Sequence, residues 1–139
     1  MSVNLEELKD FLNNRDRFCN FNAMRITVLK TGYAEAELEI NENVLNSVDV
    51  VQGGAVYTLC DLAFAGAVWS HGIQAVGLNS SISYLRPGRS GKIKAVATAI
   101  KQGKTIGVCN IDVFDEQGEH LARSTMTCFV LDRPFTKSH

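Results

Sequence analysis

Leu5, Leu8, Phe11 and Leu12 recur at the spacing of one helical face, and Asn4 with Glu7 three residues on has the form of a capping pair. The spacing predicts a short amphipathic helix over 5–15. From Ala23 the period drops to two: Met24, Ile26 and Val28 alternate with other residues up to a turn at Thr31-Gly32. Ala34, Ala36, Leu38 and Ile40 then alternate with Tyr33, Glu35, Glu37 and Glu39, as in a half-buried antiparallel strand. Two strands this close predict a hairpin. The same period returns in the second half. Val76, Leu78, Ile82 and Tyr84 share one face of a strand ending at Arg86-Pro87-Gly88. Ile93, Ala95, Ala97 and Ala99 mark the next strand, which turns at Gln102-Gly103-Lys104. Gly107, Cys109, Ile111 and Val113 follow, then a turn at Glu116-Gln117-Gly118 and a last strand to about Leu131. Hairpin connections throughout predict a mostly antiparallel sheet.

Between the strand groups, Gly53 to Trp69 is apolar on every side, rich in Ala and Leu and too long for a strand. An all-round apolar helix is a buried one. At ~1.5 Å per residue it runs about 26 Å, enough to cross five or six strands spaced ~4.8 Å apart. The expected fold class is therefore α+β, one long helix wrapped by a curved, mostly antiparallel sheet of five to six strands, with a short N-terminal helix. No linker or low-complexity stretch divides the chain, so residues 1–139 read as one domain. The long helix is too short for a membrane span and is interrupted by Asp61.

Composition adds three points. The net charge is only -1, but no Asp or Glu occurs between Leu62 and Ile111, where Arg86, Arg89, Lys92, Lys94, Lys101 and Lys104 all fall. That asymmetry suits either an anionic partner or lysine-guarded strand edges. Cys19, Cys60, Cys109 and Cys128 are scattered without a C-x-x-C pair or a histidine at ligand spacing, so they read as buried thiols of a reducing cytoplasm and no metal is expected. The first residues lack the basic start and apolar run of a secretory signal, which favours a cytoplasmic location. Neither a membrane nor a nucleic acid is an expected partner.

Asp61 carries the most chemical information. An unpaired carboxylate on a buried helix costs several kcal/mol, so it is either satisfied structurally or kept as a base or nucleophile. Gly53-Gly54 opens the same helix, where free N–H groups and the positive dipole end suit a carbonyl oxygen that becomes an oxyanion. Eight residues separate Gly53 from Asp61, or ~12 Å along the axis, too far for one carbonyl carbon to meet both. If both act on one substrate they come from two chains, and the site lies twice at a dimer interface.

Asn46-Ser47-Val48-Asp49-Val50-Val51-Gln52-Gly53-Gly54 with Leu59-Cys60-Asp61 resembles the active-site region of the PaaI-like thioesterases of the hotdog superfamily. So does Ser83-Tyr84-Leu85-Arg86-Pro87-Gly88 with Lys101-Gln102-Gly103-Lys104-Thr105, and the likeness spans about residues 20–131. The resemblance implies hydrolysis of an acyl-CoA thioester, with coenzyme A as part of the substrate and no separate cofactor. It makes Asp61 the catalytic carboxylate, Gly53 the oxyanion N–H and Asn46 a group that places water or the thioester. Substrate contacts are expected at Gln52, Gly54, Tyr57, Tyr84, Arg86, Pro87, Gly88, Arg89, Lys101, Gln102, Gly103 and Lys104. Of these the cations would meet the CoA phosphates, and Gly88 and Gly103 would let the backbone come close. A homodimer or a dimer of dimers is implied too. One position departs from the family's His-Gly-Gly: Gln52 can exchange hydrogen bonds but cannot titrate near neutral pH.

Two rivals remain at this stage. Hydratases of the same fold usually carry a catalytic His, and none lies near Asp61 in the sequence. A non-catalytic acyl-CoA-binding or regulatory module is the other, and Gln52 lends it some support. Cys60 reads as core, Tyr57 as pocket wall or core, and Trp69 and His71 as structural; His120 and His139 have no evident partner.

Overall fold

The computed structural model describes residues 3–136; His139 lies outside them. Helix α1 (Leu5–Arg15) starts as the capping pair requires, with Asn4 Oδ1 accepting from Glu7 N–H at 3.1 Å, and it buries Leu8 and Leu12. It stops at Asp16, whose carboxylate immediately caps a second helix, α2 (Arg17–Phe21), by accepting from Cys19 N–H at 3.0 Å. The sequence pattern gave no sign of α2, because five residues are too few to display a period.

Strands β1 (Met24–Lys30) and β2 (Tyr33–Glu39) form the expected hairpin, with a bulge between Ile26 and Val28. Then come α3 (Gly53–Trp69), β3 (Ile73–Tyr84), β4 (Lys92–Gln102), β5 (Ile106–Asp115) and β6 (His120–Pro134). One six-stranded sheet runs β1-β2-β4-β5-β6-β3, antiparallel at every pairing. The α+β architecture is as expected, but one connection is not. β3 and β4 do not form a hairpin: β4 lies between β2 and β5, and β3 pairs with β6. The loop between them is carried across by backbone bonds, Leu85 N–H to Leu121 O and Ile40 N–H to Gly91 O, each 2.8 Å.

The inner face of the sheet and α3 make the core. Leu59, Leu62, Ala63 and Ala67 of the helix, with Ile26, Leu38, Ile93, Ile111 and Val113 of the sheet, are all essentially fully buried. Ala34, Ala36, Ala95 and Ala97 leave room for the helix, and at Gly66 a Cβ would meet Ala34 Cβ at 3.0 Å and Ile26 Cδ1 at 3.1 Å. Truncating Leu59 to alanine in such a core costs about 2–5 kcal/mol. The helix is not buried all round, however. Gly54, Tyr57 and Asp61 fall on one exposed stripe, so the sequence expectation of a buried Asp61 fails within a single chain.

The four cysteines are free and buried. Burial pushes the Cys60 and Cys109 thiols up to about 12. Lys92 pairs with Glu37 at 4.0 Å and Lys94 with Glu35 at 3.2 Å across neighbouring strands, so these two form cross-strand ion pairs; β4 is an interior strand, and neither lysine guards a sheet edge. His120, expected to have no partner, has one: its Nε2 lies 2.8 Å from Asp112 Oδ1, which the sequence separation concealed.

Candidate active site

The first turn of α3 is built for donation. Gln52 is its N-cap, and its side-chain oxygen accepts from Gly54 N–H. A Cβ on residue 54 would lie 2.6 Å from that oxygen, so the glycine makes room for the cap. The glutamine thus faces its own helix. Ala55 N–H bonds to Gln52 O at 2.9 Å, whereas Gly53 N–H has no acceptor among the described residues. Tyr84 lies across Gly53, donating its hydroxyl to Gly53 O at 3.0 Å, and a Cβ on residue 53 would meet the Tyr84 ring at 3.2 Å. Burial raises the Tyr84 pKa, which keeps the hydroxyl a donor.

Asn46 stands beside this turn. Its Oδ1 accepts from Val48 N–H at 3.0 Å and Val50 N–H at 3.2 Å, which assigns the amide orientation and leaves Nδ2 as the free donor. Asn46, Gly53, Tyr84, Arg86, Pro87 and Gly88 line one cavity of about 330 Å³.

Asp61 opens elsewhere. It lines a cavity of about 340 Å³ with Tyr57, Asn79, Ser80 and Thr127, and a second of about 190 Å³ with Asp16, Phe64, Val68 and Trp69. The Tyr57 and Ser80 hydroxyls bond to one another beside it. Asn79 and Ser80 were missed in the sequence because a bulge between Gly77 and Asn79 breaks the strand period there. Although solvent reaches the Asp61 side chain, burial by the surrounding walls raises its pKa, and the Asp16 carboxylate raises it further.

The expected substrate-binding residues separate into two groups. Tyr84 is level with Ala122 on β6, while Gln102, through Gly107, is level with Cys128. Six residues of strand put them about 20 Å apart. Nor does any residue line both the Gly53 cavity and an Asp61 cavity. Arg86 is engaged with Glu119 at 3.4 Å and His120 O at 3.0 Å, while Arg89, Lys101 and Lys104 are exposed and have no ion pair among the described residues. Gly88 is buried, where a Cβ would meet Val51 at 3.2 Å, and one at Gly103 would meet Ile106 O at 2.9 Å, so both glycines serve local packing.

The sequence pattern of the Thioesterase superfamily matches residues 49–122, which include Gln52, Gly53, Asp61 and Tyr84. The chain belongs to the Thioesterase superfamily. Within that superfamily it is PaaI-like and has the hotdog fold. It is 34% identical over 98 residues to the acyl-coenzyme A thioesterase PaaI of Escherichia coli, covering 70% of each chain. The solved structure of the E. coli PaaI protein superposes with a TM-score of 0.83 at 26% identity, over 94% of this chain and 99% of that one. A hypothetical thioesterase protein from Streptococcus pneumoniae TIGR4, solved with coenzyme A, gives 0.81 at 26% identity over 88% and 99%. Among the described residues no helix is long and apolar enough to cross a membrane.

Proposed function

We propose that the protein hydrolyses acyl-CoA thioesters to the free acid and CoA, at sites shared between two chains. The observation that carries this reading is the division of labour along α3. A free N–H at Gly53 and a carboxylate at Asp61, ~12 Å apart on one axis, face different cavities. Two antiparallel copies side by side would bring each donor to the other's carboxylate. The same pairing would bring Tyr84 to Arg89 of one chain beside Lys101 to Lys104 of its neighbour.

The free edge of β3 supports such a pairing. It is twelve residues long, has no strand beyond it among the described residues and exposes Val76 at 51% and Leu78 at 57%. An edge of this length without Lys, Glu or Pro to guard it is a template for another strand. A second copy would cover it and desolvate Asp61, supplying the burial that one chain lacks. We extend the assembly, as the family resemblance implies, to a homodimer or a dimer of dimers.

In the site so formed, Gly53 N–H and Asn46 Nδ2 receive the thioester carbonyl. Asp61 of the partner subunit takes a proton from water held near the Tyr57–Ser80 pair, and the water oxygen bonds to the acyl carbon. The oxyanion rests on the N–H donors; the C–S bond then breaks and the thiolate leaves with the proton held by Asp61. Gln52 holds the helix start as a cap and titrates nowhere in the working range.

Thiol release from a panel of acyl-CoAs, followed spectrophotometrically, tests the activity. Absence of turnover with every member would leave the non-catalytic binding module. Sedimentation at micromolar concentration tests the assembly, and a fully active lone chain of 15.2 kDa would overturn the shared site.

A further inference from the structure

We infer that Gln52 and Tyr84 are a pair of positioning residues: they clamp the Gly53–Gly54 peptide from its two ends and so fix the aim of the neighbouring free donor, Gly53 N–H. This deepens the hydrolase reading, in which that donor receives the thioester oxygen, and rests on it. Both side chains, expected from the sequence to meet the substrate, are assigned to the donor instead.

Two consecutive glycines make a loose helix start, because neither has the Cβ that restricts the backbone. A donor that is to hold an oxyanion must stand in place before the charge forms. The chain supplies the missing constraint peptide by peptide. The unit between Gly53 and Gly54 is held at both ends. Its N–H, on Gly54, donates to the Gln52 side-chain oxygen, and its C=O, on Gly53, accepts from the Tyr84 hydroxyl at 3.0 Å. The unit between Gln52 and Gly53 has its C=O bonded by Ala55 N–H at 2.9 Å and Val56 N–H at 3.3 Å. Gln52 N–H in turn donates to Val44 O at 2.8 Å. Of the three N–H groups in this run, Gly53's alone has no partner among the described residues. A peptide whose carbonyl accepts hydrogen bonds is polarised, which makes its own N–H the stronger donor.

Tyr84 is itself fixed. It ends β3, level with Ala122 on β6, and the next two residues donate their N–H groups to Leu121 O at 2.8 and 3.2 Å. Its ring covers Gly53 closely enough that a Cβ there would meet it at 3.2 Å. One arm of the clamp thus comes from the sheet and the other from the helix's own cap. All of these bonds lie within one chain, so the clamp is set before a second copy is added.

Tyr84→Phe keeps the ring and deletes only the hydroxyl, while Gln52→Ala deletes the acceptor. Each should lower kcat with acyl-CoA about tenfold and leave KM nearly unchanged, a fraction of the hundredfold or more that outright loss of an oxyanion donor costs. Because both bonds hold one peptide, the double variant should fall well short of the product of the two losses. Gln52→Asn, which keeps a capping acceptor, should recover most of what Gln52→Ala loses. A second readout needs no turnover. In protein labelled with 15N-glycine, the Gly53 and Gly54 amides should show order parameters near the ~0.85 of rigid backbone and drop toward ~0.6 in either variant. If both variants melt as folded proteins and these amides stay rigid, the clamp is refuted whatever happens to hydrolysis. Losses that simply multiply, or a raised KM at unchanged kcat, would mean separate roles or substrate contact and overturn it as well. Should the amides loosen in a protein that turns over no acyl-CoA, the hydrolase reading fails and the clamp stands.

Discussion

At its first turn α3 offers donors: Gly53 N–H with no acceptor and, beside it, the free amide of Asn46. Two turns later the same helix offers a carboxylate, with a hydroxyl pair and a cleft on either hand. The first region is positive in character, glycine-opened and rigidly capped; the second is negative and raised in pKa by burial and by Asp16. Each holds what the other lacks. A helix cannot fold its middle onto its start, so in the proposed assembly the two regions would complement each other between copies. Symmetry would then do what local structure cannot.

The harshest way to break the comparison is to remove the negative half. Asp61→Asn should lower kcat by about a hundredfold or more with the fold intact, as losing a general base does. The same variant should melt higher at pH 7. A carboxylate whose folded pKa is raised opposes folding once ionised, so the gain appears above the ordinary carboxylate range and vanishes below it. Melting curves at pH 4 and pH 7 check both signs.

A second test rejoins the halves across chains. Gly53→Val should crowd Tyr84, displace the donor and inactivate the homodimer. Mixed dimers of this variant with Asp61→Asn, purified through two tags, should regain about half the wild-type activity, because one of the two sites is then intact. A folded but silent mixture would mean that both residues act within one chain.

Replacing Arg89, Lys101 and Lys104 together by alanine should raise KM about tenfold with kcat little changed, and added salt should do the same in the wild type. The smallest effect sharpens the negative half alone. Asp16→Asn keeps the α2 cap, since asparagine caps as well as aspartate, and removes only the charge. The acidic limb of the kcat/KM profile should move to lower pH, by less than burial contributes, because burial is the larger cause.

Much of this was readable in the residues. The periods of α1, β1 and β2 and the limits of α3 at Gly53 and Trp69 follow from local patterning, which the fold obeys. What escaped was non-local or aperiodic. Asp16 drew no notice because α2 is a single short turn, and Ser80 escaped because a bulge hides it. The pairing of His120 with Asp112 and the engagement of Arg86 by Glu119 depend on strand register. Asp61's exposure was misjudged because an apolar helix reads the same whether its own chain or a neighbour covers the last stripe. Gln52 looked like a weakened histidine; only the hydrogen bond to Gly54 N–H shows the cap it provides.

The buried cysteines have a consequence for a protein that liberates a thiol. In the proposed reaction each turnover would leave CoA-SH near Asp61, the residue next to Cys60, and in its oxidised forms CoA can exchange onto protein sulfur. Exchange requires a thiolate with an open line of attack. At a pKa of about 12, walled inside the core, Cys60 has neither. Cys60 is thereby proofed against covalent capture, and no mixed disulfide with CoA should form on it when CoA disulfide is added.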